Sequence, residues 1–144
     1  MSFAYFDSSA LVKRYVREQG SAEVISLLSR HDFLSSAITP VEVLSALRRR
    51  NRSGDLADDE FSTLITRIRS ERARWELVSI TETVLSRAED VIQGSVPMRA
   101  LDAIHVASSA VFQSAISVQV PFVTGDARQR DSARPLGLDV VWVG

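Results

Sequence analysis

Short apolar runs that lead straight into a helix start constrain this sequence more than its composition does. Phe3–Phe6 runs into Asp7, then Leu11, Val12, Tyr15 and Val16 recur at helical spacing up to a stop at Gln19-Gly20. Phe33–Ile38 leads to Thr39-Pro40-Val41-Glu42, and Pro121–Thr124 leads to Gly125-Asp126. Runs this short, apolar throughout and alternating with amphipathic segments, predict strands buried on both faces and joined through helices. The same reading places helices at Ser21–Arg30, Thr39 to about Arg50, Glu82–Gln93 and Leu101–Ser117, with strands at Glu76–Ile80 and Asp139–Val143. Between the Asn51–Asp55 turn and the third strand, Phe61, Leu64, Ile65 and Ile68 mark one more amphipathic helix. The expected class is α/β, with a mostly parallel central sheet covered on both faces. At 144 residues and 45% hydrophobic content, one domain spanning 1–144 is expected, with a helical arm at about 41–74 inside it.

Composition narrows the chemistry. No stretch approaches the roughly 18 uninterrupted apolar residues of a membrane span, and Met1–Asp7 lacks the pattern of a signal peptide, so a cytoplasmic protein without a membrane partner is expected. Without cysteine there is no disulfide or thiolate metal site, and His31 and His105 stand too far apart in sequence to suggest zinc. A metal would have to be held by oxygen, which favours magnesium, with manganese as a substitute. The net charge of −1 argues against a generally basic nucleic-acid coat. Locally the balance differs: eight arginines face five acids between positions 48 and 74, and Arg48, Arg49, Arg50 and Arg52 are candidate phosphate contacts. A solvated arm with ordinary charge pairing is the plainer reading of that run.

Four acids, Asp7, Glu42, Asp102 and Asp126, fall at expected helix starts. Each alone is explained by capping or by the helix dipole, and Glu42 completes an apparent capping box with Thr39. Together they suggest more, because ligands of open α/β sheets bind beyond the carboxyl ends of the strands, where Asp7, Glu42 and Asp126 should lie. Converging carboxylates repel one another, and a divalent cation would remove that penalty. Ser8, Ser9 and Thr124 adjoin these acids and are candidate supports. His105, one turn after Asp102, is read as a core or turn contact, and Lys13 as an ordinary surface residue.

The order Asp7-Ser8-Ser9-Ala10-Leu11-Val12-Lys13, Thr39-Pro40-Val41-Glu42, Leu101-Asp102-Ala103-Ile104-His105-Val106-Ala107 and Thr124-Gly125-Asp126 resembles the PIN-domain nucleases, and among them the VapC toxins of toxin–antitoxin pairs. The resemblance runs from Asp7 to the last strand. It implies a three-layer α/β/α sandwich and a magnesium-dependent endoribonuclease that hydrolyses phosphodiesters with metal-activated water. It also implies Asp7 and Asp102 as principal metal ligands, Asp126 as a third, and Glu42 as an acid that serves a second ion or orients water. The partners it implies are RNA, a small VapB-like antitoxin, a second copy of the chain, and operator DNA reached only through the antitoxin. Three other classes compete. A receiver-like domain would carry a lysine late in the chain, and none follows Lys13. A non-catalytic PIN-fold binding module would keep the acids only as caps, and a DNA-directed nuclease would share the same chemistry, since no residue here reads a 2′-hydroxyl.

Overall fold

The computed structural model describes residues 1–144. Five strands, β1 (Phe3–Phe6), β2 (Asp32–Ser36), β3 (Glu76–Val78), β4 (Pro121–Thr124) and β5 (Asp139–Trp142), form one sheet in the order β3-β2-β1-β4-β5. Every pairing is parallel, so the expected mostly parallel sheet is wholly parallel. Parallel neighbours need crossover connections. These are α1 (Ser8–Tyr15) and α2 (Ser21–Arg30), α3 (Thr39–Arg52) and α4 (Asp58–Glu71), α5 (Glu82–Ile92) and α6 (Ala100–Ile116), and α7 (Ala127–Ala133). No helix is long and apolar enough to cross a membrane.

Side-chain alternation along the strands divides the core. Tyr5, Leu34 and Phe122 point to one face and pack with Val84, Ala88, Val91, Ala103, Val106, Ala107 and Ala110 of α5 and α6. Ala4, Phe6 and Val123 point to the other, against Ala10, Val24 and Leu27 of α1 and α2. Ala103, Ala107 and Ala110 put small side chains where α6 meets the sheet and α5. A third cluster joins the arm to the body: Leu11, Val12 and Tyr15 of α1 meet Val43, Leu47, Leu56 and Ile68. Gly20 shows how tightly the last strand closes on α2. Its φ is +85°, and a Cβ there would stand 2.0 Å from the Val143 carbonyl oxygen.

Two local expectations are corrected. The second strand ends at Ser36, where the Ile38 N–H donates to Ser36 Oγ (3.3 Å) and turns the chain into α3. The capping box at Thr39 does not form, because Ile38 is the N-cap and no side chain caps the helix. Thr39 Oγ1 instead shares a hydrogen bond with Ser35 Oγ at 2.6 Å, and Glu42 turns elsewhere.

Sheet order decides where a site can form. β1 and β4 are neighbours, and the connection leaving β1 runs toward β2 while that leaving β4 runs toward β5, so the crevice between their carboxyl ends is the topological switch point. α6 precedes β4, whose start lies at the opposite edge. The first turn of α6 is thereby returned to the carboxyl edge, and that brings Asp102 to the site although no strand leads into it.

Candidate functional site

A cleft of about 390 Å³ opens at that edge, and Asp7, Glu42, Asp102 and Asp126 all line it, with Ser8, Ser9, Arg49, Leu101, His105 and Gln129. The fold therefore gathers the four acids, but gives each a different environment.

Asp7 caps α1 and is the most enclosed, at 1% exposure. Its Oδ1 accepts the Ala10 N–H (2.9 Å), its Oδ2 the Thr124 hydroxyl (3.1 Å), and Ser9 Oγ lies 2.8 Å from both oxygens. Burial pushes its pKa above the usual carboxylate value, against the opposing pull of His105 and of these donors. Asp102 is raised too, first by burial and then by the neighbouring charge of Asp126. Asp102 Oδ1 accepts from Gln129 Nε2 at 3.2 Å, and its other oxygen has no protein partner. Asp126 caps α7 through Oδ1, which takes the N–H groups of Arg128 (2.8 Å) and Gln129 (3.2 Å), and its Oδ2 is likewise unengaged.

Glu42 behaves oppositely. Burial favours its neutral form, but His105 and Ser8 outweigh that and hold its pKa below the usual value. Ser8 Oγ donates to Glu42 Oε1 at 2.6 Å, and His105 Nε2 meets the same oxygen at 2.6 Å, which leaves Oε2 without a protein partner. His105 is thus more than the core contact expected of it. It is 1% exposed and ties Glu42 and Ser8 at Nε2 to the Tyr5 hydroxyl at Nδ1 (2.8 Å). Because an ionised carboxylate only accepts, Nε2 carries the hydrogen. Tyr5 keeps its own hydrogen, since burial and then Asp7 push its ionisation well up. The arrangement also excludes a nucleophilic serine of the triad kind: Ser8 and Glu42 share one ring nitrogen, whereas a serine and its supporting acid need opposite ones.

Gln129 carried no signal in the sequence. It is 1% exposed and joins the acids, with Nε2 on Asp102 and Oε1 at 3.1 Å from Thr124 Oγ1, the hydroxyl that also reaches Asp7. One hydroxyl hydrogen faces two acceptors there, while Thr124 Oγ1 itself accepts the Asp126 N–H at 3.0 Å. The candidate arginines separate. Arg49 lines the cleft, Arg50 pairs with Glu18, Arg48 lies over the Phe61 ring and donates to Asn51, and Arg52 is exposed without a side-chain partner.

Whether these residues suit a metal turns on donor type and convergence. The donors are hard oxygens, three of the acids keep one oxygen free, and Asp102, its pKa raised by burial and then by the charge of Asp126, faces a repulsion that a cation would relieve. No three acid or histidine side chains already close on a common point. That suits an ion that keeps several waters and takes only one or two carboxylates from the protein.

A PIN-domain family model matches residues 4–135. The chain belongs to the PIN-domain family. Within it the likeness is to the VapC branch: the chain is 34% identical to Ribonuclease VapC46 of Mycobacterium tuberculosis over 145 residues, which span 98% of each. Among solved structures, FitAcB from Neisseria gonorrhoeae superposes with a TM-score of 0.71 at 16% identity over 96% of both chains. A toxin–antitoxin complex from Klebsiella pneumoniae superposes with a TM-score of 0.68 at 16% identity over 98% of both. The α/β PIN architecture expected from the motifs is the one the chain adopts.

Proposed function

We propose that this PIN-domain chain is a magnesium-dependent endoribonuclease and the toxin of a toxin–antitoxin pair. The observation that carries the reading is the gathering of Asp7, Glu42, Asp102 and Asp126 around one cleft at the switch point of the sheet. The ribonuclease name of a relative aligned over 98% of the chain favours RNA over DNA.

Asp102 and Asp126 would hold the ion through their free oxygens, with Asp7 as the buried anchor behind them. When bound, a divalent ion supplies charge neutralisation at the phosphate and lowers the pKa of water. The chain does the rest. Glu42, ionised because His105 and Ser8 hold it so, turns its free Oε2 toward an attacking water and orients it. Gln129 and Thr124 keep Asp102 and Asp7 in fixed rotamers through bonds at 3.2 and 3.1 Å. No side chain is placed as a nucleophile, so direct hydrolysis without a covalent intermediate is the reaction. Manganese would substitute for magnesium.

An antitoxin peptide laid on the cleft would cover Val41 and Leu101, apolar side chains 72% and 47% exposed in its lining. The structural neighbour named as a toxin–antitoxin complex supports that partner, and pairing of two copies of the chain belongs to the same proposal.

The test is cleavage of single-stranded RNA by the purified chain. Magnesium should be required, EDTA should abolish cutting, and Asp102→Asn should lower the rate by more than roughly the hundredfold seen for lesser changes around metal sites. Cleavage that resists EDTA, or survives Asp102→Asn in a folded chain, overturns the reading.

A further inference from the structure

Beside the acidic cleft lies a second one of opposite character. It measures about 540 Å³ and is lined by Lys13, Arg49, Arg50, Glu18, Ser9, Ser53 and Gly125, among others. The two clefts share Ser9, Val12, Ala46 and Arg49, so they are continuous. Three cations face a single carboxylate there, Glu18, which meets Lys13 Nζ at 3.2 Å through Oε1 and Arg50 through Oε2. Arg49 has only a neutral partner, Ser45 Oγ at 3.0 Å.

Lys13 is the unexpected member. Its side chain is only 10% exposed, and Nζ spends two hydrogens on Glu18 and on the Gln19 carbonyl oxygen (2.7 Å), which leaves the third unpaired. A buried ammonium with an unused donor is costly unless something answers it. Gly125 makes room for it: a Cβ at that position would stand 3.1 Å from Lys13 Cε and 3.7 Å from Nζ. The loop that delivers Asp126 to the acidic cleft is therefore bare on the side where it passes the lysine.

We infer that Lys13, Arg49 and Arg50 form an anion subsite that seats a backbone phosphate of the RNA strand next to the phosphate being cut. This rests on the ribonuclease reading and adds a second point of attachment to it. The acidic cleft repels a polyanion when no cation is bound, and a strand held only there would be poorly retained. Attachment at the adjoining basic cleft holds the strand through its backbone, so binding there is insensitive to base sequence.

The experiment measures binding of a short fluorescent single-stranded RNA by anisotropy across a salt series in EDTA, where no cutting occurs, and magnesium-dependent cleavage of the same RNA by the wild type in parallel. Arg49→Ala, Lys13→Met and the control Arg69→Ala are compared. Arg69 is exposed on α4 and lines neither cleft. Each subsite variant should weaken binding several-fold, equally for unrelated sequences, and reduce the slope of log affinity against log salt by about 0.7, the single-strand value per phosphate contact. Arg69→Ala should change neither. Arg49 is exposed, so its variant carries the test even if Lys13→Met fails to fold. Wild-type affinity and slope in Arg49→Ala overturn the subsite while wild-type cleavage leaves the ribonuclease reading standing, and the basic cleft would then suit an acidic peptide instead. A wild type that neither binds nor cuts RNA overturns both.

Discussion

The four acids do not share one electrostatic state, although sequence alone treats them alike. Burial and Asp126 raise the pKa of Asp102, and burial raises that of Asp7, whereas His105 and Ser8 lower that of Glu42. For Asp102 the sign follows directly. An acid whose pKa is higher folded than unfolded destabilises the fold when ionised, and the cost disappears as pH falls from the raised value to the ordinary 3.8. Asp102→Asn should therefore stabilise the metal-free chain at neutral pH, and the gain should vanish in acid. Urea denaturation at a series of pH values checks this, and a variant less stable than wild type at pH 7 would contradict it. Gln129 and Lys13 were illegible in the sequence for a physical reason. A glutamine between two acids and a lysine beneath a glycine acquire meaning only when segments more than twenty residues apart meet, and no local spacing records that. His105 was visible, but as a lone histidine on an alanine-rich helix. Its role appears only when Tyr5, Ser8 and Glu42 arrive from three other elements.

At the scale of elements, the strand-then-helix rhythm was legible because each strand is a short apolar run and each helix carries its own periodicity. Helix ends were less so. The Thr-Pro-x-Glu signature predicts a cap at α3, but Glu42 is taken by His105 instead, an imidazole N–H from a distant helix that replaces the backbone N–H of a capping box. The arm is held by a comparable long-range device. Glu71, at the end of α4, accepts from Arg14 Nε (3.0 Å) and from the Tyr15 hydroxyl (2.6 Å) of α1, and from Arg67 Nε (2.8 Å) of its own helix. Partial burial opposes its charge, but these donors prevail and bring its pKa down to about 2. A lowered pKa contributes stability above the ordinary value of 4.5 that is lost as pH falls toward 2. Glu71→Gln should thus be less stable than wild type at neutral pH, with the difference closing between pH 4.5 and about 2. Equal stability of the two at pH 7 would show that the network contributes nothing.

For the whole molecule, the site is a place where the sheet accepts instability. Acids repel beneath a cleft that buries them, and a cation that binds only the folded chain would return that stability by mass action. At a magnesium concentration a hundred times its dissociation constant, the gain should be about 2.7 kcal/mol. Thermal unfolding with magnesium and with EDTA measures it, and Asp102→Asn should lose most of the shift. An unchanged midpoint for the wild type would leave the acids without their proposed ion.

Strand order has one more consequence. β1 is made first, yet its neighbour β4 is made more than a hundred residues later, and Asp7 meets Thr124 only then. A chain still emerging from the ribosome carries Asp7 and Glu42 before Asp102, His105, Thr124, Asp126 or Gln129 exists. With half its carboxylates unmade and Glu42 lacking its imidazole, the growing chain does not yet carry the site proposed to cut RNA. Topology thus delays completion of that site until synthesis has passed residue 129, so the proposed activity would spare the machinery that builds the protein.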